Sequence, residues 1–132
     1  MALEPLTGED PAEFAGYRLR ARLGTGAVAQ AYLGYTASGR PVVLKVARPE
    51  AGLGPGFRVR FRREMDAARR VRGRHTARVL AADPDTTRPW LATAYVAGPS
   101  LRQVVAGHGP LPDAAVLRLV AGVAAALRAM HR

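Results

Sequence analysis

Two charged side chains in this sequence stand where apolar ones are expected. Lys45 sits inside the run VVLKVA, and it is the only lysine among twenty basic residues. The chain also has no Asn and no Ile, while Ala, Gly, Arg and Pro are abundant. GC-rich coding produces that profile and favours arginine throughout. A position that stays lysine against such pressure needs a compact ammonium rather than a planar guanidinium. The second is Glu64. Phe57, Phe61, Met65, Ala68 and Val71 recur at helical spacing, and at about 100° per residue Glu64 falls in the middle of their stripe. A carboxylate buried there needs a cation. The partner is either a charge from elsewhere in the fold or Arg60, one turn earlier at the edge of the stripe, and spacing alone leaves both open.

A third feature is the turn Gly24-Thr25-Gly26. Taken alone it fits an ordinary hairpin better than a phosphate cradle. There is no cysteine, hence no disulfide, thiolate nucleophile or Cys-ligated zinc. His75, His108 and His131 have no metal-ligand spacing, and no metal ligand is assigned.

Periodicity supplies the elements that must carry these residues. YRLRARL (17–23) alternates apolar and charged residues as a half-buried strand does. AQAYLGYT (29–36) and the β-branched PVVLKVAR (41–48) predict two more strands, joined by a turn at ASGR. Three strands with short links imply an antiparallel meander. The helix with Glu64 follows over residues 57 to about 72. ARVLAAD (77–83) and WLATAYV (90–96) then predict two strands around PDTTRP. SLRQVVAG (100–107) reads as a short helix. PDAAVLRLVAGVAAALRAMHR (112–132) reads as a long one, opened by Pro and Asp, whose apolar residues call for burial on more than one side.

In this order the pieces resemble the N-terminal lobe of a protein kinase of the bacterial, eukaryotic-like Ser/Thr type, over residues 17–131. The resemblance implies an α+β fold: a five-stranded antiparallel sheet plus one helix, then a hinge and two C-lobe helices. It divides the chain into a leader (1–16), an N lobe with the ATP-binding elements (17–96), and the hinge exit with the first C-lobe helices (97–132). The family's glycine-rich loop, G-x-G-x-x-G-x-V, corresponds to Gly24-Thr25-Gly26-Ala27-Val28-Ala29-Gln30-Ala31, with alanine at the third glycine and at the valine. The lysine motif appears as Val42-Val43-Leu44-Lys45. The resemblance implies that Lys45 contacts ATP phosphates and pairs with Glu64, so the two oddities explain each other. It implies that Leu23, Gly24, Thr25 and Gly26 cover the nucleotide and that Ala31 and Val43 roof the adenine. Thr93 takes the gatekeeper place, Ala94 and Val96 offer hinge backbone groups, and Ser100 reaches the ribose.

The family also needs a catalytic-loop Asp, a magnesium-binding Asn and a D-F-G Asp. The chain has no Asn, and none of its aspartates precedes Phe-Gly. The expectation is therefore the ATP-binding part of a kinase, inactive by itself, with magnesium held only by segments outside it and protein substrates belonging to the complete kinase. A pseudokinase module that binds nucleotide or a protein partner is the alternative. The net charge of +10 also allows nucleic-acid binding through the arginine-rich helix, but coding bias accounts for much of it and this reading ranks last. The acidic first sixteen residues are no secretory signal, and no run is long and apolar enough to span a bilayer. A cytoplasmic protein is expected.

Overall fold

The computed structural model describes residues 3–26, 29–48, 54–71 and 73–131. Ala27 and Val28 of the glycine-rich loop and Arg72 at the expected helix end lie outside the described residues. The strands are β1 (Glu13–Phe14), β2 (Tyr17–Thr25), β3 (Ala29–Tyr35) and β4 (Pro41–Ala47), followed by α1 (Pro55–Arg70), β5 (Val79–Asp83) and β6 (Trp90–Ala94). Two helices close the chain, α2 (Leu101–His108) and α3 (Asp113–Met130). All strand pairs are antiparallel, in one sheet of order β1-β2-β3-β4-β6-β5. The five expected strands are present, and β1 adds a sixth at the edge.

Because neighbours directly opposite share a face, the register sorts the sheet into two sides. The outer side carries Tyr32, Leu44 and Ala92 in one row and Gln30, Val46 and Trp90 in the next. Leu19, Tyr32, Leu44, Val46 and Ala92 form the core cluster there, and Leu6, Phe14, Tyr17 and Trp90 pack against it. The N-terminal segment therefore covers this side. Glu4 and Arg22 exchange backbone hydrogen bonds of 2.9 and 2.7 Å, and the Tyr17 and Trp90 rings meet edge to face at 5.9 Å. Close packing also fixes Gly34 in β3. A Cβ there would lie 3.2 Å from the Arg18 carbonyl oxygen.

The inner side carries Ala31, Lys45 and Leu91 in one row and Leu33, Val43 and Thr93 in the next. Helix α1 starts at Pro55, a residue suited to the first helical turn, and ends with Arg69 and Arg70 near its negative pole. α2 starts from a capping box in which Ser100 and Gln103 satisfy each other's backbone N–H. α3 has no buried residue, and Leu117 and Val120 are 70% and 58% exposed. The burial on several sides that its sequence calls for is not supplied by the described residues.

Candidate functional site

Lys45 occupies the middle of β4, opposite Ala31 on one neighbour and Leu91 on the other. Its side chain leaves the apolar row Val42, Leu44 and Val46, each fully buried on the outer side, and enters the inner side as period-two alternation requires. A cavity of about 440 Å³ opens there, lined by Ala29, Lys45 and Leu91 from the sheet and by Phe57, Arg60, Phe61, Glu64 and Met65 from α1. The lone lysine, the unexpected glutamate and the end of the glycine-rich loop thus share one space.

The stripe that placed Glu64 is real: Phe57 and Phe61 stack at 5.7 Å and Met65 is buried. Glu64 itself is exposed, however, as is Lys45. The carboxylate expected to be buried is corrected on this point. Among the described residues no ion pair joins Glu64 to Lys45 or to Arg60. The cause lies on the far side of α1. Arg58 donates to the carbonyl oxygens of Pro84 (3.2 Å) and Thr86 (2.8 Å), Arg62 pairs with Asp85, and Arg69 donates to the Ala82 carbonyl at 3.3 Å. Those arginines anchor the helix to the end of β5 and the loop after it and leave its Glu64 edge open to solvent.

The other expected residues divide. Ala31, Val43 and Thr93 share the inner face with Lys45 by register. Leu23 is buried at an irregularity in β2, where Gly24 pairs with Ala31 and Thr25 with Gln30. Gly26 closes its turn by donating its N–H to the Ala29 carbonyl at 2.9 Å. Ala94 belongs to the outer row by register, opposite Val42, and its N–H is taken by the Arg78 carbonyl at 2.9 Å. Val96 lies beyond β6 and is 70% exposed. The Ser100 hydroxyl accepts the Gln103 N–H at 3.1 Å as the α2 cap.

Sequence reasoning missed a polar cluster on the outer side. Asp10 accepts from Arg22 Nε (2.7 Å) and Nη2 (2.9 Å), from the Tyr32 hydroxyl (2.7 Å) and from the Thr7 N–H (2.8 Å). The Arg22 guanidinium, aided by the Thr7 and Tyr32 donors, holds the Asp10 carboxyl well below the usual carboxylate range. Burial, together with the adjacent Asp10 charge, pushes the Tyr32 phenol up to about 12. Beside them, Gln30 is buried and reaches back to β2. The only sequence cue was an aspartate in a segment that reads as a solvated leader.

Among the described residues no group of His, Asp or Glu could hold a metal ion, and no helix is long and apolar enough to cross a membrane.

No family model matches the chain. The probable serine/threonine-protein kinase PkwA of Thermomonospora curvata is 48% identical over 129 residues, covering 98% of this chain and 17% of that protein. The serine/threonine-protein kinase AfsK of Streptomyces griseus is 47% identical over 129 residues, covering 98% of this chain and 16% of its own length. The crystal structure of a cysteine-to-alanine mutant of the Mycobacterium tuberculosis PknI kinase domain superposes with a TM-score of 0.72 at 34% identity, over 90% of this chain and 49% of that domain. The chain therefore spans about half of a solved kinase domain and about a sixth of these curated relatives.

Proposed function

From the premise that the chain belongs to the bacterial serine/threonine protein kinases, we propose that it forms the ATP-binding part of such an enzyme. The observation that carries this reading is the cavity shared by Lys45, Glu64 and Ala29. An ammonium on the inner face beside a glycine turn suits phosphate oxygens. Ala31, Val43 and Thr93, which share that face, suit the flat apolar purine. Gly24 has open space where a side chain would stand, so its backbone can approach a phosphate closely.

In the complete kinase the γ-phosphoryl group of Mg-ATP passes to a serine or threonine hydroxyl of a protein substrate. Positioning and electrostatic stabilisation supply nearly all of that catalysis. In this half Lys45 holds the phosphates, and Glu64 orients Lys45 once α1 moves inward. The family resemblance assigns the magnesium ligands and the catalytic base to segments outside this chain. ATP supply sets the protein in the cytoplasm.

Calorimetric titration of ADP into the chain tests the reading. Binding weakened about tenfold or more by Lys45→Met is expected, since a charge-assisted phosphate contact is lost. Binding that ignores Lys45→Met would overturn it. With labelled ATP and a generic protein acceptor, the 132-residue chain should transfer nothing above background. A second reading, a pseudokinase module, is favoured by Ala29 at the third loop glycine and by the open Lys45–Glu64 geometry. It predicts no uptake of ADP, or uptake without phosphoryl transfer when the chain is extended to a whole kinase domain.

A further inference from the structure

The glycine-rich turn is held from the side opposite its cavity. Gln30 follows Ala29, lies opposite Val46 on the outer face, and is 5% exposed. Its amide nitrogen donates to the Gly24 carbonyl at 2.6 Å and to the Ala31 carbonyl at 3.1 Å. Its amide oxygen accepts the Thr25 hydroxyl at 2.7 Å. From the end of β4, Arg48 Nη1 donates to the Gly26 carbonyl at 3.1 Å. Three consecutive residues of the turn are therefore tied to the outer side through a carbonyl or hydroxyl group.

A buried amide with its hydrogen bonds satisfied is a rigid connector, and leaving its partners unpaired is costly. The geometry has an electrostatic consequence as well. Drawing the Gly24 and Gly26 carbonyl oxygens toward Gln30 and Arg48 keeps their negative ends away from the Lys45 cavity, where phosphate oxygens would repel them. The ties also suit the alanine at position 29. Its Cβ removes conformations that a glycine would allow, and side-chain contacts on the free face then fix the conformation that remains.

We infer that Gln30, assisted by Arg48, is a positioning residue that sets the glycine-rich turn over the phosphate site from the outer face of the sheet. The inference rests on the nucleotide reading of the Lys45 cavity. It assigns Gln30 no contact with the nucleotide, and its effect should appear on the phosphates and not on the nucleoside.

The test uses the 132-residue chain and two variants. Gln30→Met keeps the length of the side chain and removes the three polar ties that Gln30 makes, and Thr25→Val removes only the hydroxyl tie at an exposed site. Amide hydrogen exchange is followed at Gly26, whose N–H closes the turn, and at Leu44 and Val46 in the core. Binding of ADP and of adenosine is measured by calorimetry. We expect Gly26 to exchange at least tenfold faster in Gln30→Met and a few-fold faster in Thr25→Val, with Leu44 and Val46 unchanged. ADP affinity should fall about fivefold or more in Gln30→Met while adenosine affinity holds. Unchanged exchange at Gly26 would overturn the inference, as would equal acceleration at all three amides or equal losses for ADP and adenosine. Should Gln30→Met fail to fold, Thr25→Val decides by the same comparison. A wild-type chain that takes up no ADP would remove the nucleotide reading, and exchange at Gly26 would still decide whether Gln30 holds the turn.

Discussion

Asp10 and Arg22 face each other in a two-point ion pair, Oδ2 to Nε at 2.7 Å and Oδ1 to Nη2 at 2.9 Å, with the Asp10 side chain only 3% exposed. The pair fastens the N-terminal segment to β2 over the outer core. Charge-assisted, bidentate contacts of this kind are among the stronger polar interactions. Asp10→Ala should therefore cost about 1–3 kcal/mol at neutral pH, read as a lower urea midpoint. An unchanged midpoint would show that the segment adds nothing to the fold.

The same carboxylate predicts an acid limb. Its pKa lies below the unfolded value of about 3.9, so its stabilisation is complete above that value. It is lost as pH falls from about 4 through the depressed native pKa. The stability gap between wild type and Asp10→Asn should close over that interval. A gap that stays constant from pH 7 to about pH 2 would refute the linkage.

Tyr32 predicts the opposite limb. Its phenol is raised to about 12, above the unfolded value of about 10. Its contribution is complete below about pH 10 and fades as pH climbs through 12. Tyr32→Phe should lose stability at pH 8 and draw level with wild type near the top of that window, followed by tyrosinate absorbance and chemical denaturation together.

The outer cluster was hidden from the sequence for a definite reason. The hairpin that brings β1 to β2 turns at Ala15 and Gly16, with φ of 51° and 88°, where an Asn-Gly pair would have announced a two-residue turn. With alanine there, Glu13–Phe14 reads as part of an acidic leader. By contrast, β2 was legible from its alternation and β4 from its β-branched run, and Lys45 stood out against the coding bias. The partnership of Lys45 with Glu64 was legible as a shared face but not as a distance. That distance depends on how Arg58, Arg62 and Arg69 seat α1 on the end of β5 and the loop after it, and long polar side chains carry no periodic signal.

Gly34 offers a test of packing alone. Its virtual Cβ meets the Arg18 carbonyl oxygen at 3.2 Å and Leu19 Cδ2 at 3.4 Å, so β2 and β3 would have to separate slightly for any side chain. Gly34→Ala should cost roughly 1–3 kcal/mol as overpacking does. A stabilised Gly34→Ala protein, in which lower chain entropy outweighs the clash, would mean the strands have slack at this point.

Ala31 and Val43 carry a volume exchange in the adenine roof that the resemblance implies. The resemblance puts a valine where Ala31 stands and an alanine where Val43 stands, so small and large have exchanged places. Register makes the exchange physically sensible. Ala31 lies opposite Lys45 and Val43 lies two residues before it on the same face, which makes Ala31 and Val43 diagonal neighbours within reach of one ligand. Volume-conserving swaps are the ones packed sites tolerate best. Ala31→Val alone should overfill the site and cost roughly 1–3 kcal/mol of ADP binding. Val43→Ala alone should leave a gap and cost about 1–2 kcal/mol from lost apolar contact. Because neighbouring sites couple, the double variant should recover much of both losses. Calorimetry on the four proteins measures the coupling directly, and simple additivity would show that Ala31 and Val43 do not roof the same ring.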